Sequence, residues 1–231
     1  MSAGGRLRAV VGVLGELLIT AGLVIVLFAL YVLFWTGVET SSAQRELEDE
    51  FEALDRPLPS AAVVEPSPSP TADDGGTPEP TEAAREPLPG DAYARMRIPR
   101  LGASWEWIVV QGVDVLDLRR GPGHYIETAD PGQIGNFAVA GHRATYGEPF
   151  AYLDRIRAGD EILVERGGVE YRYVVTQWFL TTPDNRGVLA PVPSQPGVEP
   201  TQAVITLTTC HPRFSGAQRL IVHGVLAGEE A

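Results

Sequence analysis

Along the chain the hydropathy pattern changes character three times. Residues 17–35 (LLITAGLVIVLFALYVLFW) form an uncharged apolar run of 19 residues. A helix of that length, at about 1.5 Å per residue, crosses the hydrocarbon core of a bilayer. The apolar character extends back to Ala9 with only Glu16 interrupting it, so the predicted span is residues 9–35 and residues 1–8 precede it. A cleaved signal peptide has a shorter apolar region and a small-residue cleavage site. Here the run is long and ends in Leu33-Phe34-Trp35, whose aromatics suit a membrane interface, which points to an uncleaved anchor. Residues 36–55 are expected to continue as a juxtamembrane helix, amphipathic from about Ser41 to Leu54. Over residues 56–90 the apolar pattern disappears, and Pro, Ser, Thr, Ala, Glu and Asp dominate (PSPSPTADDGGTPEPTEAAREPLPG). That composition cannot bury enough apolar surface to offset chain entropy, so it predicts a disordered, semi-extended linker acting as a spacer.

From residue 91 to residue 231 the period becomes two. Short β-type runs are predicted at residues 93–98, 105–111, 136–140, 161–166, 169–181, 203–209 and 219–226, separated by turn signals. Gly167-Gly168 between two alternating runs reads as a hairpin. Helical patterns are few and short, at residues 113–119 and 149–156, with a turn near 185–189. Seven or eight strands in this space argue for a mainly β domain, a barrel or a sandwich.

Charge changes the picture only in the anchor and linker. Arg6 and Arg8 precede the span, whereas Glu39, Glu46, Glu48, Asp49, Glu50 and Glu52 follow it with Arg45 as the only base. The positive-inside rule then places the N-terminus in the cytoplasm and everything after residue 35 outside, as a single-pass membrane protein. The chain carries a net charge of −12. Residues 36–90 hold 3 Arg against 13 acids and residues 91–231 hold 13 Arg against 16 acids, so the acidity belongs to the linker region. No basic stripe suggests nucleic acid. Every Lys/Arg cation is Arg, which removes any lysine Schiff-base chemistry.

Candidate chemistry centres on the single cysteine, Cys210, which cannot form an intrachain disulfide. It closes one predicted strand; Arg219 opens the next, and the residues between them, with Pro212 and Gly216, can form a loop. If those strands pair antiparallel, Cys210 and Arg219 stand side by side at one sheet edge. His142 projects from the end of the apolar run 136–141. A thiol, an imidazole and a fixed guanidinium are what acyl transfer through a thioester requires: a nucleophile, an acid/base and an oxyanion donor. No acidic or Asn residue adjacent to His142 offers itself as an orienting partner. His124, His211 and His223 carry less weight; His223 alternates within an apolar strand, as a core histidine does. No His-x-x-x-His or Cys-x-x-Cys spacing supports a metal, and no phosphate-cradling loop is present, so no cofactor is expected.

Thr206-Leu-Thr-Thr-Cys210, the downstream Arg219, and Gly141-His142-Arg143 preceded by Asn136 resemble the sortases, cysteine transpeptidases of Gram-positive surfaces. Gly121-Pro-Gly-His-Tyr125 and Pro131-Gly-x-x-Gly-Asn136 match the pattern leading into the catalytic histidine of that family. The form Thr-Leu-Thr-Thr-Cys-His-Pro is similar to class E sortases of high-GC actinobacteria. The resemblance implies a closed β-barrel, Cys210 as nucleophile, His142 as acid/base and Arg219 as oxyanion or substrate-positioning group. It further implies that Thr209 helps orient the substrate, and Tyr146 is a candidate to line the same groove. The implied substrates are surface proteins with a C-terminal LPxTG- or LAxTG-like sorting signal, cleaved between Thr and Gly. The implied acceptor is an amine of a peptidoglycan precursor, or a pilin lysine. Two rival readings are a catalytically inactive tethered β-domain that binds wall components, and an L,D-transpeptidase-like enzyme. The latter family centres on Ser-His-Gly-Cys, whereas Thr-Leu-Thr-Thr precedes the cysteine here.

Overall fold

The computed structural model describes residues 3–55 and 87–230. One helix, α1 (Ala3–Asp55), runs without a break through the apolar run and the juxtamembrane segment. Among the described residues it is the one helix long and apolar enough to cross a membrane. The linker expected at residues 56–90 lies outside the described residues except for its last four positions.

Eight strands follow: β1 (Ala92–Arg97), β2 (Glu106–Gln111), β3 (Gly123–His124), β4 (Gly135–Ala140), β5 (Glu161–Arg166), β6 (Val169–Thr181), β7 (Ala203–His211) and β8 (Gln218–Glu230). They close into a barrel in the order β1-β2-β3-β4-β7-β8-β6-β5. All seven predicted strands are present, and the closed barrel is the architecture. The two-residue β3 is too short to leave a period-2 signature. Gly167 and Gly168 both adopt positive φ (61° and 73°), the left-handed pair that a tight β5–β6 hairpin demands. The helix expected at 113–119 is α2 (Val115–Arg120), shifted because Asp114 caps it and the Asp117 carboxylate reaches back to the Asp114 amide at 3.0 Å. The helix expected at 149–156 is reduced to a 3-10 turn, Leu153–Arg155. The turn expected near 185–189 is also 3-10, Arg186–Leu189.

Period two decides what each strand side chain does. On β4, β7 and β8, Phe137, Val139, Ile205, Leu207, Leu220 and Val222 point into the barrel and join its core with Tyr93, Met96, Ile162 and Tyr173. The alternate positions face outward, as the candidate site requires. β2 keeps the alternation but is apolar on both faces: Val109 enters the barrel core, whereas Ile108 and Val110 are buried in a second cluster with Ala92, Leu47 and Phe51. That second cluster is where α1 lies on the barrel. Gln44 completes the contact as a side chain imitating a strand: its Oε1 accepts from Ile108 N at 2.8 Å, and its Nε2 donates to Ile108 O at 3.0 Å and Arg120 O at 2.9 Å. Glu48 forms an ion pair with Arg95. Gly121 is required beneath Gln44, because a Cβ there would collide with the amide nitrogen. Helix contacts therefore fix the barrel beside the end of the apolar run.

Candidate active site

Two adjacent strands carry Cys210 and Arg219, and His142 follows the end of a third, β4. β7 and β8 pair antiparallel with Cys210 opposite Arg219, in the same register that pairs Thr206 with His223 and Thr208 with Ile221. Cross-strand partners share a face with Cα atoms about 4.5–5.5 Å apart, so the thiol and the guanidinium stem are neighbours. β4 and β7 pair parallel, with Ala138 opposite Thr206 and Ala140 opposite Thr208. β4 ends at Ala140, and the next residue stays bonded to β7, with Gly141 N donating to Thr208 O at 3.1 Å, so His142 leaves the end of β4 near the end of β7 that carries Cys210. On β7 and β8, Cys210 and Arg219 alternate with the buried Thr209 and Leu220 and so share the outward face.

Two straps keep that edge in register. Thr209 is buried, and its hydroxyl donates to Gly141 O at 2.7 Å; Gly141 N donates to Thr208 O at 3.1 Å. One residue on, the buried Arg143 donates to His211 Nδ1 at 2.6 Å and pairs with Asp154 at 2.9 Å. Residues flanking His142 are therefore bonded to residues flanking Cys210 on both sides. His211 is an acceptor for Arg143 here, and the Thr209 hydroxyl proton is engaged by the main chain on the face opposite Cys210. Thr208, not Thr209, reaches the groove.

The groove is a cavity of ≈ 410 Å³ between Arg219 and the β6–β7 loop, lined among others by Tyr125, Arg186, Val188, Leu189, Thr208 and Arg219. Its far wall is held by a buried polar relay. Asn136 Nδ2 donates to Val188 O and Ala190 O, both at 3.1 Å, while Thr206 Oγ1 lies 2.8 Å from Asn136 Oδ1 and 3.0 Å from His223 Nδ1. Burial pushes His223 down to about 4, so its ring is neutral at neutral pH. His124 is likewise driven to about 4 by burial; it stacks on Tyr93 with ring centroids 4.4 Å apart and bonds Gln111 at 2.7 Å, a packed core histidine. Burial raises the Tyr125 phenol against the opposing pull of Arg219 and Arg186, and Cys210 also acts on it. Tyr125 therefore sits at the head of the groove. Sequence reasoning quoted it within Gly121-Pro-Gly-His-Tyr125 but gave it no role.

His142 is half buried. Burial first, and then the positive charge of Arg119, holds its imidazole below the ordinary histidine value. Tyr146 packs against it, with ring centroids 5.1 Å apart at 38°. Tyr146 is thus beside the histidine. Arg219 is held by its own turn, donating to Gly216 O at 3.3 Å and Gln218 O at 3.2 Å. No carboxylate occupies its guanidinium among the described residues, and it remains available to an oxygen of a ligand. No group of three or more His, Cys, Asp or Glu that could hold a metal is formed among the described residues.

Residues 96–227 match the family model described as Sortase domain. Among curated proteins, the chain is 33% identical to Sortase SrtE1 of Streptomyces coelicolor over 94% of its own length, and it spans 57% of that protein. Among solved structures, sortase E from Streptomyces avermitilis matches with a TM-score of 0.57 at 42% identity, covering 62% of this chain and 92% of that one. Sortase E1 from Streptomyces coelicolor with a tripeptide in the active site matches with a TM-score of 0.56 at 38% identity, covering 63% and 93%. A closed eight-stranded barrel, a family model over most of it and likeness to class E structures lead to one conclusion: the chain belongs to the sortase family.

Proposed function

We propose that this protein is a membrane-anchored cysteine transpeptidase, with its N-terminus cytoplasmic and its barrel on the outer side. The observation that supports this reading is the pairing of Cys210 with Arg219 across β7 and β8, beside a groove that Arg219 lines, with His142 following the end of the neighbouring β4. An extended peptide with an LPxTG- or LAxTG-like motif lies in the groove with its Thr carbonyl against Cys210. The thiolate attacks that carbon, and the oxyanion that develops is met by the Arg219 guanidinium, whose planar fork suits an oxygen ligand. Collapse breaks the Thr–Gly bond; the leaving amine takes its proton from the His142 imidazolium, and a thioester to Cys210 remains. An acceptor amine of the cell wall or of a pilin then attacks the thioester, gives its proton to His142 and releases the thiolate. Because both groups must hold the right proton, turnover against pH is bell-shaped with limbs that belong to the pair.

The likeness of the chain to a sortase E1 solved with a tripeptide in its active site supports a peptide as ligand. The test is incubation of the full chain in detergent with a labelled LAxTG peptide and a small amine. Amine-dependent ligation that vanishes in Cys210→Ala supports the reading, and ligation that persists in that variant overturns it. A chain that binds the peptide without turnover would instead be the tethered binding domain.

A further inference from the structure

The segment joining the apolar run to the barrel reaches the neighbourhood of His142 through three contacts. The Thr40 side chain is wholly buried, and its hydroxyl donates to Arg119 O at 2.7 Å. The Arg119 guanidinium lies over the Tyr146 ring, 5.4 Å from its centroid, and that ring packs on His142. The Arg119 Nε is buried with no hydrogen-bond partner among the described residues. This cation is spent on an aromatic face instead of a carboxylate.

The loop that carries Tyr146 is held in an unfavourable conformation. Tyr146, Gly147 and Glu148 have φ of 51°, 71° and 52°, three left-handed residues in succession. For the two that are not glycine the side chain disfavours this conformation, and it persists only where the surroundings impose it. Those surroundings come partly from α1: a Cβ on Gly147 would lie 3.2 Å from Thr40 Cγ2 and 2.5 Å from Trp107 Cη2, so the turn is pressed between the helix and β2. Glu148 is tied to Arg213 by an ion pair on the other side.

We propose that Arg119 is a positioning residue for His142, clamping Tyr146 against its ring, and that Thr40 of α1 holds Arg119 in that place. The juxtamembrane helix is then a working part of the active site and not a stalk. The groups that act on or pack against His142 are Arg119 from α2 and Tyr146 from its own loop. Of the charges among them, Arg119 is the one that acts on the imidazole, in the direction that disfavours its protonation. The inference rests on His142 as the acid/base of the proposed reaction.

The test is NMR titration of the full chain in detergent micelles, with 13C-labelled histidine and His142 assigned through His142→Ala. Arg119→Gln is expected to raise the His142 midpoint by about half a pH unit or more and to lower kcat several-fold, while Arg119→Lys keeps both near wild type. Thr40→Val is expected to move the midpoint in the same direction by less, with KM little changed. A purely structural Arg119 would lower the melting temperature and leave the midpoint of the folded protein where it was. An unchanged midpoint in folded Arg119→Gln therefore overturns the proposal; should that variant not fold, an unchanged midpoint and kcat in Thr40→Val overturn it. Full turnover in His142→Ala would defeat the acid/base assignment itself, a result separate from the titration.

Discussion

Two outer faces of one barrel are treated in opposite ways. On the β1–β2 side, Ile108 and Val110 turn outward and are sealed by Leu47 and Phe51 of α1, and the Gln44 amide satisfies the exposed main chain of β2. On the β7–β8 side the outward positions include Thr208, Cys210, Arg219 and Ile221, and the cluster that α1 seals does not include them. The first face is closed by apolar burial and by the hydrogen bonds of Gln44. The second is left as a groove lined by Thr208, Arg219 and Ile221, with a wall held by the Asn136–Thr206–His223 relay. Barrel geometry alone therefore does not make a site; what matters is which strand face the rest of the chain leaves uncovered.

The sharpest way to break the comparison is to open the closed face. Phe51→Ala is expected to destabilise the barrel by about 3–5 kcal/mol, the range for deleting a buried aromatic, as read by denaturant unfolding. A loss below about 1 kcal/mol would mean that α1 is not part of the folded unit. Next comes acid. His124 and His223 fold with values near 4 against about 6.5 unfolded, so the unfolded chain binds the extra protons. Stability is full above pH 6.5 and falls as pH drops toward 4, by at most about 3 kcal/mol for each histidine. Unfolding curves at pH 7 and pH 4.5 check this, and a flat profile would contradict the buried neutral rings. On the open face, Arg219→Lys keeps the charge but loses the planar fork; acyl transfer is expected to fall by about 10²-fold or more, with stability changed by less than about 0.5 kcal/mol. Near wild-type turnover in that variant would show that charge alone suffices. Smallest is Gln44→Ala, expected to cost about 1–3 kcal/mol by leaving Ile108 and Arg120 main-chain groups unpaired, with the peptide reaction slowed little in the folded fraction.

Much of the open face was legible in the sequence. The apolar run ending at Gly141, the Thr-Leu-Thr-Thr-Cys strand and the short loop before Arg219 already place three reactive residues at strand ends, because strand periodicity is local. The β2 segment also carried a signal: Trp-Ile-Val-Val is apolar on both faces, as a strand covered on both sides must be, although only its membership of a strand was read. Its partner on α1 was not legible, since the contact joins Gln44 to Ile108 across 64 residues of sequence. The same holds for Thr209. Its place next to Cys210 suggested a role toward substrate, but period two turns it to the opposite face, where Gly141 takes its hydroxyl proton. Tyr146 lies near His142 by spacing; that it lies under Arg119 depends on a left-handed turn that no propensity predicts.

The central claim is that Cys210 becomes acylated by a sorting-type peptide. Intact-protein mass spectrometry of the full chain, quenched in acid after brief incubation with an LAxTG peptide and no amine, tests it most directly. The predicted result is a mass increase equal to the peptide up to its Thr residue, localised to Cys210, removed by hydroxylamine and missing in Cys210→Ala. Peptide cleavage at the same bond with no adduct, or with undiminished rate in Cys210→Ala, would contradict the account.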